Sequence, residues 1–248
     1  MNYITDDTNY DVLYAIGDTH GENLAIAPML LGADTKLKKC VLHCGDFGIG
    51  FSSYTGDRAT LVKLNTRMAK YNVMLYAIRG NHDNPVYFNN SDYDLKLSNV
   101  KLIPDHTILN LKVEGKDKRV YLNGGAVSVD RIQRTPSKSY WWNEGVNRLS
   151  REELDEIPAD IDIVITHTRP RGVFPVSKNN IEHWLLKDMG LNRDLDIELD
   201  IISDIFTEIN SVNSEYQHFY GHFHMSNLDI IKGVRHKLLN IKEICEIK

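Results

Sequence analysis

"YAIRGNHDNP" (residues 76–85) joins the apolar residues Tyr76, Ala77 and Ile78 to a polar knot of Gly80, Asn81, His82 and Asp83. The first part reads as the buried end of a strand, and the residues after it continue neither helix nor sheet well. The same pattern recurs along the chain. "YAIGDTHG" (14–21) ends in Asp18 and His20, and "LHCGDFG" (42–48) ends in Asp46. "IVITH" (163–167) delivers His167, and "FYGHFH" (219–224) delivers His222 and His224. In open α/β sheets the carboxyl ends of strands are where sites assemble. Five apolar runs that each end in a metal-type ligand are not what packing alone would produce.

The remaining pattern is consistent with one α/β domain over residues 1–248. "VLYAIG" (12–17), "CVLHCG" (40–45) and "VMLYAI" (73–78) do not alternate strictly, as expected of strands buried on both faces. Leu61, Leu64, Met68 and Tyr71 recur at helical spacing and predict an amphipathic crossover helix. "ENLAIAPMLLG" (22–32) predicts a helix shortened or kinked at Pro28. "TILNLKV" (107–113) and "RVYLNGGA" (119–126) predict an antiparallel hairpin. Ser150 and Glu153 form a capping-box pattern, with Leu149 and Leu154 as its hydrophobic staple, and Pro158 closes that helix. "IDIVIT" (161–166) predicts another core strand, and Leu195, Leu199, Ile202, Phe206 and Ile209 a long helix. Strands at 216–221, 227–232 and 234–241 complete the reading.

Bulk properties narrow the function. The 248 residues carry a formal charge of −5, without the basic excess of a surface that coats nucleic acid. Cys40, Cys44 and Cys245 are odd in number and lack metal-ligand spacing, which argues against a disulfide scaffold. The polar, acidic start "MNYITDDTNYD" lacks the basic and apolar regions of a signal peptide. No run approaches a membrane span, so a cytoplasmic location is expected.

The candidate ligands are Asp18, His20, Asp46, Asn81, His167, His222 and His224. Oxygen and imidazole donors without thiolates suit Mn²⁺, Fe or Zn²⁺. Seven donors are too many for one tetrahedral ion but suit two ions that share a carboxylate. Two carboxylates against four metal charges leave a positive well for an anionic phosphate.

The blocks GDTHG, GDFG, GNHD, TH and GHFH, in this order, resemble the calcineurin-like metallophosphoesterase superfamily. That resemblance implies two packed mixed β-sheets flanked by helices, a four-layer αββα sandwich with the site at one edge. It implies a dinuclear phosphoesterase in which metal-bound water attacks a small or nucleotide-like phosphate mono- or diester in line. The cofactors would be two divalent ions, with Mn²⁺ foremost and Fe, Zn²⁺ or Ni²⁺ as alternatives. Asp18, His20 and His224 would hold one ion, Asn81, His167 and His222 the other, and Asp46 would bridge them. His82 would serve the leaving group, and Asp83 would orient that imidazole. The sequence departs from the protein serine/threonine phosphatase branch, whose aspartate-arginine-glycine signature is absent from "GDFGIGFSSYTGD". It also has Thr166 where many members have glycine before the histidine. A nuclease acting on nucleic-acid ends, a protein phosphatase and a non-catalytic binding module are the competing readings.

"VDRIQRTPSKSYWWNEG" (129–145) follows a "GGA" turn and brings Arg131, Arg134, Lys138, Tyr140, Trp141 and Trp142 into one segment. Cations and flat rings can clamp a phosphate and stack on a base, so Arg131, Arg134 and Trp142 are candidate substrate contacts; a tryptophan could instead pin the loop. Arg79 either reaches substrate or pairs with a nearby carboxylate. His43, His106, His183, His218 and His236 fall outside the motifs and read as core residues.

Overall fold

A computed structural model describes residues 1–30, 36–134, 141–178, 180–213 and 215–248. Two sheets pack face to face. One has five strands in the order β12 (Ile244–Ile247), β2 (Val12–Ile16), β3 (Lys39–His43), β4 (Val73–Ala77) and β5 (Val100–Leu102). The other has seven, in the order β1 (Asn2–Tyr10), β6 (Thr107–Val113), β7 (Lys116–Asn123), β8 (Ile163–Thr166), β9 (Gln217–Tyr220), β11 (Val234–Leu238) and β10 (Asn227–Ile231). Both sheets are mixed: β2, β3 and β4 run parallel, as do β7, β8 and β9, whereas β12–β2 and β10–β11 are antiparallel.

The core lies between the sheets. Leu13, Leu42 and Tyr76 of the smaller sheet pack with Leu109, Leu122 and Ile165 of the larger. Each outer face is covered by helix, which gives the four layers. Outside the smaller sheet lies α2 (Tyr54–Lys70), preceded in the chain by the short α1 (Ile26–Met29). Ser53 caps α2 by accepting from the Gly56 N–H at 3.2 Å, and the expected Leu61, Leu64 and Met68 are its buried stripe. Burying each such side chain is worth about 1.5–3 kcal/mol. Outside the larger sheet lie α5 (Arg151–Asp155) and α7 (Leu191–Val212), which bury Leu154, Ile202, Ile205 and Phe206. The capping box is formed: the Ser150 hydroxyl accepts from the Glu153 N–H, and the Glu153 carboxylate from the Ser150 N–H. Three single-turn helices, α3 (Val86–Asn89), α4 (Arg131–Arg134) and α6 (Glu182–Lys187), lie in connections.

The helix expected over 22–32 is reduced to a 3₁₀ turn at Asn23–Ala25 running into α1, and residues 31–32 lie outside those described. Three strands add to the expectation, the shortest being β5, which pairs in parallel with β4. β1 pairs in parallel with β6 at a sheet edge, and its polar residues alternate between exposed and half-buried. The Asp6 carboxylate ties it to the other sheet, accepting from the hydroxyls of Tyr10 and Tyr76. β12 closes the smaller sheet against β2. Among the described residues no helix is long and apolar enough to cross a membrane.

Parallel pairing decides where the chemistry sits. Ile16, His43 and Ala77 are successive register partners, so the segments after β2, β3 and β4 leave the sheet at one edge. Asn123 and Thr166 are partners in the larger sheet, where β7, β8 and β9 run parallel.

Candidate metal centre

The strand-end residues converge. Asp18, His20, Asp46 and His224 offer ligand atoms that all lie within 4.8 Å of one another. His224 Nε2 is 3.1 Å from Asp18 Oδ2 and 3.0 Å from His20 Nε2. A second group adjoins this one through the same carboxylate: His167 Nε2 lies 3.2 Å from Asp46 Oδ1. Asn81 Oδ1 is 3.1 Å from His167 Nε2 and 2.9 Å from His222 Nδ1. All seven expected ligands are therefore brought together, with Asp46 between the two groups.

The backbone is strained where it presents them. His20, Asp46, His222 and His224 have φ of 46°, 53°, 72° and 50°. This left-handed region costs an L-residue about 1–2 kcal/mol, and such strain persists at functional sites because the surroundings impose it. Gly80 completes the cradle. A Cβ there would lie 2.1 Å from Asp46 Oδ1 and 2.7 Å from His167 Nε2. No other residue type lets this strand end approach the ligands so closely.

Crowded imidazoles and carboxylates perturb one another. Burial alone would depress the His167 imidazole, but the Asp46 carboxylate outweighs it and pushes the pKa up to about 9. Burial would likewise raise Asp46, yet the surrounding histidines, His167 foremost, hold it well below the usual carboxylate range. Burial drives His222 far down, with the His167 charge adding to the effect. A hydrogen bond to Asp18 lifts His224 against its own burial. Both carboxylates thus face groups that can supply positive charge, as a divalent cation would. The donor set of carboxylate, imidazole and amide oxygen fits Mn²⁺, Fe or Zn²⁺.

The calcineurin-like phosphoesterase profile matches residues 12–226. The chain belongs to the calcineurin-like phosphoesterase family. One solved structure superposes at a TM-score of 0.54 and 12% identity, covering 96% of this chain and 99% of the other. Phosphopantetheinyl hydrolase (PptH) from Mycobacterium tuberculosis matches at 13% identity over 94% of this chain and 90% of its own, with a TM-score of 0.43. A predicted phosphoesterase from Streptococcus pneumoniae matches at 11% identity over 97% and 85%, with a TM-score of 0.34. No curated protein matches the chain.

Within this family member, His82 stands beside the candidate ligands, its ring edge-on to His20 with centroids 5.2 Å apart. Its backbone N–H donates to Asp46 Oδ1 at 2.8 Å. Asp83 is placed otherwise than expected. Its carboxylate accepts from the N–H groups of Phe47, Gly48, Ile49 and Gly80 at 2.7–3.1 Å, so it clamps the Asp46 turn and does not orient His82. Burial and the neighbouring Asp46 charge raise it to about 6.

The core histidines sort by their bonds. His43 accepts from the Gly45 N–H at Nδ1 and donates through Nε2 to the Thr19 hydroxyl at 2.9 Å, linking two ligand turns. Burial, aided by the His167 charge, lowers its pKa to about 3, which keeps it neutral. His106, His218 and His236 are also buried, whereas His183 is exposed and lies against Trp184, contrary to the core reading.

The 129–145 segment is more structural than its composition implies. Arg131 is bound to Asp188 at 2.5 Å and to Asp194 at 2.8 Å, so as a substrate contact it is corrected to an anchor on the start of α7. Arg134 is buried between Asp130 and Glu144, each at 2.9 Å, and lies 3.4 Å from the Asn81 carbonyl oxygen. Trp142 is 84% exposed and borders a cavity of about 200 Å³ with Arg131, so burial does not pin it. Trp141 instead meets Phe51 edge to face, centroids 5.0 Å apart. Lys138 and Tyr140 lie outside the described residues. Arg79 pairs with Asp105 at 2.8 Å and donates to the carbonyls of Glu144 and Gly145.

Several residues escape sequence reasoning. Ser128 accepts from Asn81 Nδ2, and Glu198 accepts from Thr168 beside His167. Arg169, two residues past His167, is buried with Nε unpartnered and its guanidinium over the Phe223 ring at 5.8 Å. Only the proximity of "THTR" to a ligand could have drawn attention to Arg169.

Proposed function

We propose that the protein is a dinuclear metal-dependent phosphoesterase hydrolysing a small or nucleotide-like phosphate mono- or diester. The observation that carries this reading is Asp46, shared by an Asp18–His20–His224 group and an Asn81–His167–His222 group. Asp18, His20 and His224 would hold one ion and Asn81, His167 and His222 the other, with Asp46 bridging. A pair of divalent ions, Mn²⁺ foremost, supplies Lewis-acid charge and lowers the pKa of a water nucleophile.

The chain's own residues do the rest. These residues would hold the ions at the strand ends, within reach of a substrate phosphate. His82, whose ring lies beside His20, would give a proton to the departing oxygen. Arg134 lies one residue from it by way of the Asn81 carbonyl and adds positive charge on that side. The free thiols Cys40, Cys44 and Cys245 suit a reducing cytoplasm.

A hydrolysis screen with added Mn²⁺ tests the function, comparing aryl monoesters and diesters, cyclic nucleotides and short oligonucleotides. Hydrolysis of the small esters that requires metal is expected. Metal-independent turnover, or none on any ester with Mn²⁺ bound, contradicts the reading.

A further inference from the structure

A single ligand in the site is neither charged nor aromatic. Asn81 can present a metal with an oxygen that accepts or, turned over, with a nitrogen that only donates. Which end faces the histidines is therefore a functional matter. The Oδ1 end faces His167 and His222, and the Nδ2 end donates to Ser128 Oγ at 2.9 Å. Ser128 is 1% exposed, so water does not readily replace that acceptor. Its own position is set by a buried carboxylate, since the Ser128 N–H donates to Glu144 Oε1 at 2.8 Å. Glu144 is held in turn by Arg134 on Oε2, and its carbonyl accepts from the Ala126 N–H and from Arg79. The bonds run unbroken from Arg134 through Glu144 and Ser128 to the Asn81 amide.

We propose that Ser128 is a positioning residue that holds the Asn81 amide with its oxygen toward the metals, and that Glu144 fixes Ser128 for this task. This rests on the reading of Asn81 as a ligand. The segment after the "GGA" turn thus acts as a brace for one half of the metal site. Partners that orient a metal ligand typically matter by about 10–100-fold in metal affinity.

The test is calorimetric titration of Mn²⁺ into metal-stripped full-length protein, for wild type, Ser128→Ala, Asn81→Ala and the double variant. Ser128→Ala should weaken one of two sites by about 10–100-fold and leave the other unchanged. Asn81→Ala should weaken the same site, and the double variant should be no worse than Asn81→Ala, because the serine acts only through the amide. If Ser128→Ala gives no cooperative melt, Glu144→Gln is titrated in its place and should weaken the same site. Unchanged affinity, equal weakening of both sites, or additive losses in the double variant would overturn the proposal. Failure of the wild type to bind Mn²⁺ would instead defeat the dinuclear reading itself.

Discussion

The two ligand groups of the candidate metal centre differ in their surroundings. In the group of Asp18, His20 and His224, the two imidazoles are 30% and 44% exposed, and residues His20 and His224 both sit in the left-handed backbone region. In the group of Asn81, His167 and His222, His167 is fully buried, its Nδ1 donating to the Cys44 carbonyl at 2.8 Å, while Asn81 is held by Ser128. One group has a rim of exposed imidazoles around the buried Asp18, although strained turns serve both, His222 of the other group having φ of 72°. The other is a buried seat supported by a network of hydrogen bonds. Asp46 belongs to both, and the clamp from Asp83 fixes its turn. The difference teaches that equivalent donors need not be equivalent in stability: the exposed His20 and His224 should be removable without disturbing the core, and the buried His167 should not.

Asp46→Asn should erase the comparison altogether. Removing the shared charge should lose both ions or leave one weakly bound, with hydrolysis abolished, as elemental analysis and an ester assay would report. Next come the separate halves. His224→Ala should lose one ion while the melting temperature of the metal-free protein stays near wild type. His167→Ala should lose the other ion and also destabilise the metal-free fold by about 1–3 kcal/mol, because buried partners are left unsatisfied. Equal melting temperatures for these two variants would break the distinction between rim and seat.

His82→Ala leaves both halves intact, so it should keep two ions while turnover falls on the order of 10²–10⁴-fold. The penalty should shrink for esters with good leaving groups; equal losses across leaving groups would assign His82 to phosphate binding instead. Arg131→Ala should lower stability by about 1–3 kcal/mol, between the values for exposed and buried ion pairs. Hydrolysis of a small aryl ester should be unchanged, and parallel loss of that activity would place Arg131 in the site after all.

The smallest effect concerns the support of the buried half. Burial pushes Glu198, which bonds Thr168 next to His167, up to about 7 from an ordinary 4.5. The folded state then holds a proton that the unfolded chain has released. Stability should therefore fall as pH rises from about 4.5 to 7 and level off above. Melting temperatures of the metal-free protein across that window should show a slope that Glu198→Gln reduces. A slope unchanged in the variant would remove Glu198 from the account.

The convergence of the candidate ligands was legible because each follows an apolar run at a strand end, where side-chain type and position carry the signal together. The helices α2 and α7 were legible from their buried stripes. β1 was not, because an edge strand with Asp6 and Asp7 hides its alternation among polar residues. β5 and β12 are short and have no polar motif behind them to mark a strand end, as His167 and His222 mark the equally short β8 and β9. Asp83 and Arg131 were misjudged for a common reason. Sequence shows a charge beside a motif but not which partner, a backbone turn or a distant carboxylate, claims it first. Ser128 carries no signal at all until the fold brings it to Asn81.

The central claim is that two ions share Asp46, and electron paramagnetic resonance of the Mn²⁺-loaded protein tests it most directly. Two ions per chain, magnetically coupled as expected for a separation of roughly 3.5–4 Å, are the predicted result. A single ion per chain, or two with independent spectra, would contradict it.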